Sequence, residues 1–246
     1  MKSTDDPGGR ASRIGILGGT FNPIHTGHLV AAEEVGRDFN LDRVLLIPAN
    51  LPPLKEHAGV ITSEHRLRMV SLAARSNPRL EARDLEIRRG GVSYTIDTVR
   101  ALIEETGPAA DFFFIIGQDA FRHIGSWREV EALFALTNFV VVRRPTLSVD
   151  EMIGLLVDSI QSAHGEPAFV RTGYDNQVAA DGLRVEPHGR EIWLKDIPYF
   201  DVSSSLIRKR LAERRNIKYL VPEPVETYIL EHLLYAHSAE PEVARS

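Results

Sequence analysis

RIGILGGTFNPIHTGHLVAAEEVGRDF, Arg13–Phe39, decides the fold. Its first seven residues are a short apolar run that ends in two glycines. Its last twelve, His28–Phe39, carry apolar residues at helical spacing. Strand, glycine loop and helix in that order are the opening of a βαβ unit. The same alternation continues outward. RVLLIPA (Arg43–Ala49) reads as a strand and SEHRLRMVSLAARS (Ser63–Ser76) as a helix capped by its serine. LEARDLEIRRGG reads as a short strand and turn, and YTIDTVRALIEETG (Tyr94–Gly107) as a helix stopped by glycine. DFFFIIG (Asp111–Gly117) and NFVVVRR (Asn138–Arg144) are continuous apolar runs, the pattern of strands covered on both faces. The expectation is an α/β fold, a doubly wound parallel sheet, whose ligand lies at the carboxyl ends of the strands.

Beyond Pro145 the pattern loosens. Val149–Ile160 reads as a helix, and Gln161–Arg190 as an insertion or flexible loop. EIWLKDI then reads as a strand, and SSSLIRKRLAERR and PEPVETYILEHLL as C-terminal helices. The expected organisation is a disordered segment 1–12, one domain over 13–236 with an insertion near 161–189, and a polar tail 237–246.

The 246 residues carry 29 basic and 34 acidic side chains, a formal charge of -5, which argues against a broad nucleic-acid footprint. The chain has no cysteine, so thiolate catalysis, disulfides and cysteine-ligated metals are excluded. No apolar run reaches the roughly 18 residues of a membrane span. MKSTDDPGGRAS at the start has no apolar core of a signal peptide. A soluble cytoplasmic protein is expected, with no nucleic-acid or membrane partner; a homo-oligomer is compatible with the sequence.

The chemistry concentrates in GGTFNPIHTGH, Gly18–His28. Gly18 and Gly19 allow close backbone approach to a ligand, Asn22 and Pro23 turn the chain, and Thr26 is placed to cap the next helix. His25 and His28 stand where helix amides and the positive dipole end favour an anion. A phosphate site follows. The glycines also suit a plain tight turn, and HxxH a metal pair, although zinc histidines on a helix are usually four apart. The segment SSSLIRKR (Ser203–Arg210) is a second helix start with three hydroxyls, Ser203, Ser204 and Ser205, and with Arg208 about one turn further in. A capped surface helix is its plainer reading.

HTGH resembles the HxGH signature of the nucleotidyltransferase superfamily, and GGTFNPIHTGH resembles the opening of bacterial nicotinate-nucleotide adenylyltransferases. That resemblance covers roughly residues 13–146 and 190–234. It implies adenylyl transfer from ATP, with Mg2+, to nicotinate mononucleotide, giving deamido-NAD and pyrophosphate. It implies ATP contacts at Gly18, Gly19, Thr20, Phe21, His25, His28, Gly117, Asp119, Ser203, Ser204, Ser205 and Arg208. His25, His28 and Arg208 are the catalytic candidates, and no protein metal ligand is assigned. DVSSSLIR is similar to the family's ISSTxIR, with Ser205 where threonine is usual. The acceptor contacts implied are Lys55, Tyr94, Thr95, Thr98, Trp127 and Arg144, with Trp127 stacking on the pyridine ring. PPLK departs from the family's PPHK at Leu54. Class I aminoacyl-tRNA synthetases share HxGH but are longer and carry a lysine-rich loop absent here. Other readings are an enzyme for nicotinamide mononucleotide or phosphopantetheine, a non-catalytic ATP sensor on the same fold, and a partner-binding protein that uses the 161–189 region.

Overall fold

The computed structural model describes residues 10–53, 59–143, 150–151, 154, 168–198 and 200–235. The apolar runs become strands. In chain order these are β1 (Arg13–Gly19), β2 (Arg43–Pro48), β3 (Leu80–Ala82), β4 (Asp111–Gly117), β5 (Asn138–Arg143), β6 (Ala168–Asp175), β7 (Ala180–Glu186) and β8 (Arg190–Asp196). They form one sheet in the order β3-β2-β1-β4-β5-β8-β7-β6. The first six in that order pair in parallel; β7 and β6 run antiparallel at one edge. The helices are α1 (Thr26–Asp38), α2 (Ser63–Ala74), α3 (Leu85–Arg89), α4 (Thr95–Thr106), α5 (Gln118–Phe121), α6 (Val130–Leu136), α7 (Ser204–Ala212) and α8 (Glu223–Glu231).

Alternation along each strand divides the core between the two faces of the sheet. Phe112, Phe114 and Ile116 pack with Ile14, Ile16, Val99 and Phe139 on one side. Phe113 and Ile115 pack with Val35, Met69, Ile207 and Val225 on the other. Both faces of β4 are therefore covered, as its unbroken apolar run requires. The strand order reverses between β1 and β4, so their carboxyl ends open a crevice at the switch point.

Three details correct the sequence expectations. LEARDLEIRRGG holds β3 and then a turn of helix, α3, because Leu85 and Glu86 turn inward and Arg88 N–H donates to the Asp84 carbonyl at 2.8 Å. Gly90, at φ 71°, ends it. Within the segment read as a loop, 168–186 is instead the β6–β7 hairpin, which extends the sheet. Ala180, Leu183 and Val185 are buried, and Asp175 Oδ1 closes the turn by accepting Gln177 N–H at 2.7 Å. A register shift at Arg171/Gly173 breaks the two-residue period that would have marked a strand. Thr26 is the first helical residue of α1, and the cap position belongs to His25.

Residues 161–167, most of the helix expected over Val149–Ile160, and the tail 237–246 lie outside the described residues, as does all but 10–12 of the N-terminal segment. No helix among the described residues is long and apolar enough to cross a membrane.

Candidate active site

β1 delivers its loop to the crevice. Gly18 and Gly19 are its last residues, in register with Ile47 and Pro48 of β2. Phe21 is buried at φ 48° and meets the His28 ring edge-on, with centroids 5.0 Å apart. His25 and His28 stack at 3.7 Å with an interplanar angle of 26°. The His25 backbone N–H donates to His28 Nδ1 at 3.2 Å. That bond occupies Nδ1 as an acceptor, so neutral His28 carries its proton on Nε2, as a donor. His25 is 8% exposed, and its Nδ1 is buried with no hydrogen-bond partner. Burial lowers its pKa to about 4, so the ring is neutral at pH 7. With His25 neutral, the two rings stack without the repulsion that two cations would suffer.

The second helix start closes on this loop. Ser204 Oγ donates to the Pro23 carbonyl at 2.8 Å, and Arg208 Nη1 donates to the Asn22 carbonyl at 2.8 Å. Val202 packs on Gly27 so closely that a Cβ there would sit 3.1 Å from its Cγ1 and 3.2 Å from His25 Nδ1. A side chain at Gly27 would make both neighbours give by a few tenths of an ångström. Thr26 Oγ1 donates to the carbonyls of Tyr219 and Leu220 at 3.1 and 3.0 Å. Two segments separated by most of the sequence therefore meet.

Ser203 caps α7 by accepting Leu206 N–H at 3.1 Å, and Ser205 Oγ accepts from Arg208 Nη2 at 3.3 Å. Each of these two serines keeps its own hydroxyl proton for an incoming oxygen, whereas Ser204 spends its proton on Pro23. Gly117 and Asp119 are exposed at the carboxyl end of β4, across the crevice.

On the other side of β4, Trp127 stands edge-on to Phe114, with centroids 5.8 Å apart, and is half-buried. Tyr94 caps α4 beneath the Arg128 guanidinium, 4.9 Å from the ring centroid, and half-buried Thr95 follows it. Thr98 lies behind them, 1% exposed, and its hydroxyl donates to Glu86 at 2.6 Å. It supports the wall instead of facing the crevice. Lys55, Leu54 and Arg144 lie outside the described residues.

Three residues without a motif, and a second role for the turn residue Asn22, complete the surroundings of the site. Asn22 is buried and joins three segments: its Nδ2 donates to Gly59 O, and its Oδ1 accepts from Tyr235 and from Ile61 N–H. Tyr235, at the end of the described chain, had no sequence signal. Arg66, 1% exposed, shares the buried stripe of α2 with Met69, Val70 and Ala73, and an arginine at such a position was the available clue. Burial raises the pKa of Glu86, opposed by its hydrogen bonds from Ser93 and Thr98.

Residues 16–210 match the model of the family described as Cytidylyltransferase-like. The chain belongs to the cytidylyltransferase-like family. One curated relative, from Geobacter metallireducens, is 45% identical over 92% of this chain and 99% of its own length. A second, from Geobacter sulfurreducens, is 44% identical over 92% and 99%. Both bear the name "Probable nicotinate-nucleotide adenylyltransferase". Among solved structures, the nicotinic acid mononucleotide adenylyltransferase of Plasmodium falciparum, complexed with NaAD, shares the fold. Its TM-score is 0.64 at 21% identity, covering 91% of this chain and 97% of that one.

Proposed function

We propose that this chain transfers the adenylyl group of ATP to nicotinate mononucleotide, forming deamido-NAD and pyrophosphate in NAD biosynthesis. The observation that carries the reading is the hydrogen-bonded closure of the Ser203–Arg208 helix start onto the Asn22–His28 loop. That closure collects imidazoles, hydroxyls, helix amides and a guanidinium at the carboxyl ends of the parallel strands, a donor set made for phosphate oxygens. The high identity to named relatives over nearly their whole length supports the choice of acceptor.

The acceptor phosphate is anionic near neutral pH and attacks the α-phosphorus in line. Its oxygen forms the new P–O bond while the bond to the β-phosphate oxygen breaks, and pyrophosphate leaves with that electron pair. No general base of high strength is needed, and catalysis rests on positioning and charge stabilisation. His28 donates from Nε2 to an α-phosphate oxygen, and neutral His25 stacks behind it and holds its angle. Arg208, Ser203, Ser205 and the first amides of α7 hold the β- and γ-phosphates. Gly117 and Asp119 take the ribose side, and Trp127, Tyr94 and Thr95 receive the pyridine mononucleotide together with Lys55 and Arg144.

Among the described residues no group of three or more His, Asp or Glu side chains forms a metal cage. The donors present fit a magnesium ion carried on the triphosphate, where it offsets phosphate charge. The reaction belongs in the cytoplasm with its substrates. The deciding experiment measures pyrophosphate release from ATP with nicotinate mononucleotide, nicotinamide mononucleotide and phosphopantetheine in parallel. The expected result is the highest kcat/KM with nicotinate mononucleotide. ATP binding without release for any acceptor would make the chain a sensor and end the proposal.

A further inference from the structure

Arg66 is a buried cation whose hydrogen bonds all go to main-chain carbonyls. Its Nη1 donates to Thr20 O at 2.9 Å and to Ala49 O, its Nη2 to Asn50 O at 3.0 Å, and its Nε to Ile61 O at 3.2 Å. Thr20 is the residue after β1, and Ala49 and Asn50 follow β2. Ile61 closes the segment that returns from the neighbouring loop. The carbonyls of Thr20, Ala49 and Asn50 follow parallel strands and that of Ile61 precedes α2, so one planar guanidinium satisfies what two loops leave open.

A polar chain continues from there. Asn50 N–H donates to Ser93 Oγ at 2.9 Å, and the Ser93 hydroxyl favours the charged form of Glu86. Glu86 also accepts from Thr98, whose oxygen accepts from Arg89 at 3.3 Å. Ser93 N–H donates to Leu51 O at 2.9 Å. The chain thus runs from the imidazole loop, beneath the crevice, to the start of α4, where Tyr94 and Thr95 stand. Its two ends lie on the two sides of the site, and Glu86 feels the charges of both Arg89 and Arg66.

We infer that Arg66 is a positioning residue for adenylyl transfer: by holding the carbonyls of Thr20, Ala49, Asn50 and Ile61 on one guanidinium, it sets the spacing between the phosphate loop and the acceptor wall. The inference rests on the reaction proposed above. The guanidinium touches no substrate atom, so its loss acts on alignment. A displacement of 1 Å at a reacting centre costs about 10²-fold in rate.

The test uses the full chain as wild type, Arg66→Lys, Arg66→Met and Ser93→Ala, each assayed for pyrophosphate release after its folded fraction is measured at the assay temperature. Arg66→Lys keeps the charge and gives up the fork. Ser93→Ala breaks the next bond of the chain without stranding a buried cation, and so gives a folded variant if both Arg66 variants unfold. For either Arg66 variant, kcat per folded molecule falls about 10- to 10²-fold while both KM values stay within a few-fold of wild type. For Ser93→Ala the fall is smaller, about fivefold. If kcat per folded molecule is unchanged in Ser93→Ala and in whichever Arg66 variants fold, the residue is only structural and the inference fails. If wild type itself releases no pyrophosphate, the failure belongs to the proposed reaction.

Discussion

At the scale of single residues, the stacked imidazoles carry the sharpest consequences. In the proposed reaction His28 is the donor to the α-phosphate, its tautomer set by the His25 amide. Removing one such preorganised donor costs about 10²–10³ in rate, so His28→Ala should lower kcat by that factor with the thermal midpoint little changed. Near-normal turnover in the folded variant would remove His28 from the chemistry. His25 acts on stability instead. Its folded pKa, about 4, lies below the 6.5 of an unconstrained imidazole. The unfolded chain therefore takes up this proton first as the pH falls. The stabilisation is fully present above about pH 6.5 and is lost as the pH drops toward 4, a difference of about 3 kcal/mol. Denaturant titrations of wild type and His25→Asn across that window should diverge at pH 7 and converge on acidification, relative to each protein's own acid limit. Parallel curves would place the proton elsewhere.

Elements were legible where their pattern was local. The five consecutive apolar residues of DFFFIIG could be little else than a two-sided strand, and α1, α2, α4, α7 and α8 fall on the stretches whose apolar residues recur at helical spacing. The caps divided. Ser203 was readable because a hydroxyl one residue before a helix has one common use, and it accepts Leu206 N–H as that use requires. Ser203→Ala should cost about 1 kcal/mol in unfolding free energy, read by chemical denaturation, with α7 still formed. An unchanged midpoint would show the cap to be idle. Thr26 looked equally suited, yet its hydroxyl is drawn to Tyr219 and Leu220, partners nearly two hundred residues away that no local rule foresees. Arg66, Asn22 and Tyr235 escaped for the same reason, since their roles exist only in three dimensions. The β6–β7 hairpin escaped because its period is interrupted and its composition is polar.

Across the whole molecule, that hairpin is fastened to the nucleotide-binding half through its neighbour. Lys195 of β8, 4% exposed, meets Asp38 at the end of α1 at 2.7 Å and donates to the carbonyls of Val178 and Ala179 at 2.9 and 3.1 Å. Burial would raise the Asp38 pKa, but hydrogen bonds from Arg37 and Lys195 hold it below the ordinary carboxylate value. Truncating Lys195 leaves Asp38 with Arg37 alone and takes the donor from the Val178 and Ala179 carbonyls, so Lys195→Ala should lose about 1–3 kcal/mol of stability. Both KM values should stay near wild type at temperatures where the variant is folded; a stability loss under 1 kcal/mol would show the pair to be dispensable. The long tether between Ser204 and Pro23, 181 residues apart, bears on synthesis as well. A nascent polypeptide emerging from the ribosome can lay down β1 through β5 early, but it stays enzymatically silent until α7 has left the exit tunnel. Premature stop codons between His28 and Ser203 would yield fragments carrying the full imidazole signature and no activity.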